Sequence, residues 1–153
     1  MSEEMTVSRD ERMMAGLAHG GILLGPVTNG VGGIGVALLI WLTQRGKSAY
    51  VAAQALQALV YQLVTLLLAM MFWCCWGGLW MLMIMPPLIA NPSAYENTPP
   101  PGMWAGLILM IFPLGLMGLT TLYGLYGAVR SMSGHDFKYA VIGNWLEGRG
   151  AGQ

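Results

Sequence analysis

Long apolar stretches separated by short polar segments make up most of this chain. No Asp, Glu, Lys or Arg occurs from Met13 to Gln44, from Ser48 to Tyr95 or from Asn97 to Val129. A helix that crosses a bilayer needs about 20 predominantly apolar residues, and each of these stretches is longer. The pattern predicts an all-α, polytopic membrane helical bundle that lies almost entirely in the bilayer.

The first apolar stretch is interrupted in its middle by Gly25-Pro26-Val27-Thr28-Asn29-Gly30. Proline and glycine at this density end a helix, and Asn-Gly favours a turn, so Pro26, Asn29 and Gly30 are the predicted hinge. Two short helices, 13–24 and 31–43, remain, each about 18–20 Å long. Neither alone crosses a hydrocarbon core of about 30 Å. The stretch forms either one kinked span or a hairpin of two short helices.

The distribution of positive charge favours the hairpin. The Pro-rich loop 86–102 carries no Lys or Arg. Basic residues prefer the cytoplasmic side of a membrane, so the regions that carry them are predicted to lie inside and loop 86–102 outside. Both termini are then cytoplasmic, and the first stretch must enter the membrane and return. The basic residues are Arg9, Arg12, Arg45, Lys47, Arg130, Lys138 and Arg149.

Two longer helices are predicted after the hairpin, at about 50–76 and 103–132. Trp73, Trp76 and Trp80 surround Gly77-Gly78, and tryptophan prefers the membrane interface, so the third helix is predicted to leave the core there. Residues 79–90 would then lie along the outer surface. Pro113 predicts a kink in the last span.

The predicted organisation has three parts. Residues 1–12 form a polar N-terminal segment, 13–132 the transmembrane domain, and 133–153 a cytoplasmic tail. In this tail Tyr139, Ile142, Trp145 and Leu146 have the spacing of an amphipathic helix on the inner membrane surface.

Composition supports the membrane assignment and excludes other classes. The chain is 56% hydrophobic and 9% charged, with a mean hydropathy of +0.58, whereas a soluble domain carries about a quarter charged residues. The formal net charge is zero, so no basic field predicts nucleic-acid binding. The first twelve residues carry both signs of charge, and we expect no cleavable signal peptide. Cys74 and Cys75 are adjacent in an apolar run and are interpreted as packing residues.

Several short motifs follow one another along the chain in a particular order. They are Ala18-His19, Gly25-Pro26 with Gly30, Ile40-Trp41-Leu42, Ser48–Val51, Gln54–Leu59, Tyr123–Arg130 and Phe137–Gly143. This series resembles the DUF4870 family of small bacterial membrane proteins, which are grouped with the Tic20-like proteins. Gln54 stands where that family often has His, and Ala140 where it often has Pro. The resemblance covers about residues 13–146 and implies a four-helix fold in the bacterial cytoplasmic (inner) membrane and very little chemistry.

His19 is the only ionisable side chain within the first hairpin and is therefore a candidate site. One interpretation is a packing histidine that forms an interhelical hydrogen bond. The other is a ligand for haem or a chlorophyll-type magnesium. Gly16 with Gly20, and Gly21 with Gly25, have the small-xxx-small spacing that lets another helix backbone approach closely.

A polar stripe follows the third helix. Gln54, Gln57, Tyr61 and Thr65 stand at i, i+3, i+7 and i+11 and share one helix face. The stripe either forms hydrogen bonds to neighbouring helices or lines a path for a substrate or a protein segment. Gln62 lies off the stripe and is given no role.

No arrangement of residues predicts catalysis or a metal site. His135 and Asp136 are adjacent in a loop without a supported nucleophile, and the 13 methionines are typical of adaptable packing residues. The first hypothesis is therefore a non-catalytic structural or assembly subunit of a larger membrane complex, with the bilayer and other membrane subunits as partners. The alternatives are a protein-translocation or channel component, and a haem- or pigment-associated subunit of an electron-transfer complex using His19 or His135.

Overall fold

The computed structural model describes residues 7–140 and Gly143, and all regular secondary structure within them is helical. Only Met110 separates the last two helices, so together they form one long helical segment. The predicted all-α fold of four helical segments is confirmed for the described residues. The helices are α1 (Arg9–Gly20), α2 (Val31–Gln44), α3 (Ala49–Ala90), α4 (Pro101–Leu109) and α5 (Ile111–Met132).

Helix α1 begins at Arg9, earlier than the predicted boundary, because a capping box fixes its start. The backbone N–H of Ser8 donates to Oε2 of Glu11 over 2.8 Å, and the N–H of Glu11 donates to Oγ of Ser8 over 3.3 Å. Such a pair satisfies two of the N–H groups that a helix start leaves without partners. The polar segment predicted for residues 1–12 therefore ends inside a helix.

The predicted hinge forms the turn between the two short helices. After α1 the chain tightens into a 3-10 helix, Gly21–Val27, which contains Pro26. Asn29 and Gly30 then adopt positive φ angles of 51° and 87°, the left-handed conformation that favours Asn and Gly. Helix α2 starts directly after this turn and packs against α1 and the 3-10 helix, so the two short helices form a helical hairpin.

The chain divides into two compact units, one formed by Met1–Leu66 with Thr120–Gln153 and the other by Leu67–Leu119. The core of the first unit is built largely from alanine. Small side chains at these positions let helix backbones approach closely, which is typical of packing between membrane helices. The buried alanines of this core cluster are Ala18, Ala37, Ala55 and Ala58.

Helix α3 continues without a break through Gly77-Gly78 to Ala90, so the predicted exit from the membrane core near these glycines involves no end of the helix and stays a prediction. A glycine in a helix costs about 1 kcal/mol relative to alanine, which neighbouring packing readily offsets. That packing comes from α4: Nε1 of Trp76 donates to the carbonyl oxygen of Gly106 over 2.9 Å. Residues 79–90 are therefore helical, and the predicted loop 86–102 is shortened to the connection between α3 and α4.

The last helical segment begins at Pro101 and is interrupted at Met110, upstream of the predicted kink at Pro113. A proline at the first helical position is favoured, because the N–H that it lacks would have no partner there. Pro113 has no N–H to donate to the carbonyl of Leu109, so the regular helical hydrogen bonding fails at the preceding turn.

The predicted amphipathic helix in the tail is wrong where the structure describes it. Residues 135–139 have no regular secondary structure, and Phe137 and Tyr139 are buried instead of lying on a membrane surface. Burial of these two rings in the first unit fixes the chain in a non-helical path. The remaining members of the predicted helix, Ile142, Trp145 and Leu146, lie outside the described residues.

The exterior of the long helices is apolar. Two segments, Ala49–Ala90 and Pro101–Met132, are long and apolar enough to cross a membrane, yet only 17% and 11% of their most apolar windows are buried within the protein. The core helix of a soluble protein would be mostly buried, so lipid is the solvent that this surface requires. Cys74 and Cys75 are exposed free thiols, and their interpretation as packing residues is wrong.

Replacing Gly106 by alanine should destabilise the second unit. A Cβ at this position would overlap the indole ring of Trp80, and overpacking of this kind costs about 1–3 kcal/mol. The matched control is Gly78→Ala in α3, where a Cβ meets nothing within 4 Å. Thermal unfolding in detergent, followed by tryptophan fluorescence, should show a lower midpoint for Gly106→Ala only; equal midpoints would contradict this packing.

Candidate functional site: a buried polar cluster

His19 lies at the centre of a buried polar cluster formed by α1, α3 and the tail. Its side chain is wholly inaccessible to solvent. Nε2 is 3.0 Å from Oε1 of Gln54, and Nδ1 is 3.0 Å from the hydroxyl of Tyr139. Both ring nitrogens are therefore occupied by hydrogen bonds within the protein.

The two hydrogen bonds fit one tautomer of the imidazole. Burial raises the pKa of the Tyr139 phenol, and Tyr61 and Tyr123 raise it further, so the hydroxyl stays protonated and can donate to Nδ1. Nε2 of His19 then carries the hydrogen and donates to Oε1 of Gln54. The neutral imidazole thus acts once as an acceptor and once as a donor, which is its full capacity.

Aromatic contacts hold the tail in place. The ring of Tyr139 is only 2% exposed and stacks on Tyr61, with centroids 4.0 Å apart and an interplanar angle of 8°. Phe137 meets Tyr139 edge to face at 4.8 Å and lies so close to Gly127 that a Cβ there would come within 2.6 Å of its ring. A glycine on α5 is therefore needed for the tail to bind.

The predicted polar stripe is divided among three environments. Gln54 bonds to His19, and Tyr61 donates its hydroxyl to the carbonyl of Thr120 over 2.7 Å. Gln57 is buried, but its Oε1 has no hydrogen-bond partner in the described part of the chain. Thr65 donates to a carbonyl of its own helix, so this residue does not extend the contacts between helices.

Gln62, which was given no role from the sequence, is a further member of the interior. Its Nε2 donates to the carbonyl of Ala18 over 3.0 Å, and its Oε1 lies against the Cα of Gly33, where no side chain fits. One amide thus joins α1, α2 and α3. A side-chain amide inside a charge-free apolar stretch is itself a signal of such a contact. Tyr139 gave no comparable signal, because its spacing matched a surface helix.

The predicted helix-packing glycines contact two different helices. A Cβ on Gly16 would overlap the side chain of Met132, and one on Gly20 would lie 3.9 Å from Ala128, so this pair contacts α5. Gly21 and Gly25 instead lie towards α2 and its preceding turn, at 3.2 Å from Val36 and 3.8 Å from Gly30 for the corresponding Cβ positions.

Ligation of a haem or pigment by His19 would require one of its two hydrogen bonds to break. His135 and Asp136 are exposed in the loop after α5. Within residues 7–140 and Gly143, no group of three or more His, Cys, Asp and Glu side chains comes together. The hydrogen bonds of the cluster join α1 to α3 and α1 to the tail.

These features define a helical membrane protein whose short hairpin, long third helix and tail are joined by buried polar side chains. The model of the MamF/MmsF family, the magnetosome magnetite crystal formation protein family, matches residues 10–146. Because this match covers nearly the whole chain, the protein belongs to that family. Comparisons with curated proteins and with solved structures gave no match.

The family match corrects the resemblance drawn from the sequence. The chain does not belong to the DUF4870 or Tic20-like proteins, because the model that matches residues 10–146 is the magnetosome family. Short apolar motifs recur among membrane helices, and their order did not distinguish the two families. The translocation hypothesis rested on that resemblance and on the polar stripe; the resemblance is withdrawn, and Gln54 of the stripe is hydrogen-bonded to His19.

Replacing Tyr139 by phenylalanine should destabilise the cluster while leaving the ring stack in place. The change leaves Nδ1 of His19 buried without a partner, which costs about 1–3 kcal/mol. Tyr126→Phe is the matched control, because this side chain is half exposed on α5. Equilibrium unfolding in mixed detergent micelles should show the loss for Tyr139→Phe and less than about 0.5 kcal/mol for the control.

Proposed function

We propose that this protein is a non-catalytic structural component of the magnetosome membrane that acts in magnetite crystal formation. The observation that supports the proposal is the family match over residues 10–146. That range contains all three members of the central hydrogen-bonded cluster, His19, Gln54 and Tyr139. The part of the chain that defines the family is thus the part that holds the helices together.

The use of polar side chains supports a structural role. The hydrogen bonds of His19, Tyr61 and Gln62 all go to neighbouring elements of the same chain. A catalytic site needs a nucleophile, base or stabilising donor directed at a substrate, whereas these groups bond to side chains and backbone carbonyls of the same chain. We infer that the protein works without a bound haem or other cofactor.

The orientation proposed for the chain follows from its basic residues. Arg12, Lys47 and Arg130 all stand at the ends of charge-free stretches, and the positive-inside rule places such ends in the cytoplasm. We propose that both termini lie on the cytoplasmic face and that the connection between α3 and α4 lies on the opposite face.

Loss of the protein should alter the magnetite crystals of its own host. Deletion of the gene should change the number, size or shape of the crystals seen by electron microscopy, and the wild-type chain should restore them. A chain carrying both Gln54→Leu and Tyr139→Phe should restore them poorly, because it leaves His19 without partners. Unchanged crystals in the deletion strain would contradict the proposal.

The rescue experiment needs a control for protein amount. Thr98→Ala alters an exposed residue between α3 and α4 and should rescue fully. Immunoblots of the membrane fraction show whether a variant fails because the protein is missing. A variant that is present at the wild-type amount and still fails to rescue identifies the cluster as required for function as well as for folding.

Assembly with other membrane subunits is the second part of the proposal. Large apolar side chains such as Leu67, Leu82 and Ile108 are exposed along the helices and are available to lipids and other membrane proteins. In mild detergent the apparent mass of the protein, after the mass of the bound detergent is subtracted, should be far above the 16.5 kDa of a single chain. A monomer from native membranes would contradict this part while leaving the role in crystal formation open to the deletion test.

A further inference from the structure

A buried donor atom of a basic side chain lies near the start of α1. Nε of Arg12 is buried and has no hydrogen-bond partner in the described part of the chain. Its guanidinium packs against Gly134 in the loop after α5, where a Cβ would lie 2.6 Å from Nη1. A buried N–H of a charged group is costly unless an acceptor completes it, and residues 7–140 and Gly143 supply none to Nε.

A second unpaired donor accompanies it. The hydroxyl of Tyr50, at the start of α3, is buried and has no partner in the described residues. The hydroxyl of Ser48, two residues before Tyr50, donates to Oε1 of Glu11, the neighbour of Arg12, so the two donors belong to the same end of the first unit. Both present hydrogen atoms, and an oxygen-rich anion is the ligand that accepts from both.

The nearby carboxylates do not occupy these donors. Glu11 accepts hydrogen bonds from Ser48 and Ser8, over 2.5 Å from the Ser48 hydroxyl and 2.8 Å from the Ser8 N–H. These bonds, that of Ser48 first, lower the pKa of Glu11, so its carboxylate is already hydrogen-bonded to Ser48 and Ser8. Asp136 is exposed in the loop after α5.

The position of the two donors along the chain indicates the depth of the site. Arg12 directly precedes the charge-free stretch that begins at Met13, and Tyr50 stands two residues after the start of the stretch that begins at Ser48. Arginine and tyrosine at such boundaries lie at the level of lipid headgroups. The oxygen-rich anion present there at high concentration is the lipid phosphate.

We propose that Arg12 and Tyr50 form a binding site for the phosphate of a membrane phospholipid. The guanidinium supplies the charge-assisted hydrogen bonds, and the phenol supplies a neutral one. The acyl chains remain against the apolar outer surface of the helices. The site is separate from the His19 cluster and does not depend on the role in crystal formation.

The test uses the full-length protein, delipidated in detergent, and native mass spectrometry with added phosphatidylglycerol. Diacylglycerol with the same acyl chains is the probe without phosphate, and inorganic phosphate is the probe without chains. The wild type should retain phosphatidylglycerol and not diacylglycerol. Arg12→Gln should weaken retention about tenfold and Tyr50→Phe about fivefold, as expected for losing a charged and a neutral hydrogen bond.

Arg9→Gln is the matched control, because Arg9 lies one turn earlier on α1, is exposed and carries the same charge. Equal losses for Arg9→Gln and Arg12→Gln would overturn the site, since the effect would then be one of net charge. Full competition by inorganic phosphate would overturn the lipid assignment. A folding defect in Arg12→Gln would also reduce lipid retention, so Tyr50→Phe serves as a second variant that removes only one oxygen atom. It must itself retain less phosphatidylglycerol while its elution volume in size-exclusion chromatography stays that of the wild type.

Asp136→Asn tests the remaining acceptor. If the lipid phosphate is the partner of Arg12, removing this nearby negative charge should leave phosphatidylglycerol binding unchanged or strengthen it. If Asp136 itself pairs with Arg12, the wild type should bind phosphatidylglycerol no better than diacylglycerol, and only Asp136→Asn should gain binding. That second result would overturn the proposal.

Discussion

The fold depends on one buried imidazole, that of His19, both of whose nitrogens must be hydrogen-bonded. His19 bonds to Gln54, 35 residues away, and to Tyr139, 120 residues away, so one side chain joins the hairpin, the long helix and the tail. In an apolar interior an unpaired polar atom costs about 1–3 kcal/mol. The helices therefore pack in the arrangement that brings the amide and the phenol to the ring.

Because the tail completes this cluster, it belongs to the core of the first unit. Tyr139 supplies a hydroxyl to His19 and a ring face to Tyr61, and Phe137 fills the space left by Gly127. Membership of the magnetosome family extends through this segment. The function proposed here thus rests on a fold that α1, α3 and the tail form jointly, and the proposed lipid site at Arg12 lies near the start of α1 in the same unit.

The sequence predicted those features that local chemistry determines. Charge-free stretches located the helices, and Pro26, Asn29 and Gly30 located the turn, because their backbone preferences act within a few residues. Contacts distant in sequence were not predictable in this way. The helix through Gly77-Gly78 depends on packing against Gly106, and the buried course of Tyr139 depends on Tyr61 and His19. The spacing of the apolar residues in the tail wrongly placed Tyr139 on a surface helix. A helical period does not show which distant residues pack against a side chain.

The length of α3 places a demand on the membrane itself. Its 42 residues measure about 63 Å at 1.5 Å per residue. Even at a tilt of about 40°, the steepest that spanning helices commonly adopt, it would still extend about 48 Å along the bilayer normal, beyond a core of about 30 Å. Its apolar end must then leave the core or draw a thicker bilayer around it. A helix with this mismatch favours a thicker bilayer, because each ångström of unmatched apolar length costs a fraction of a kcal/mol.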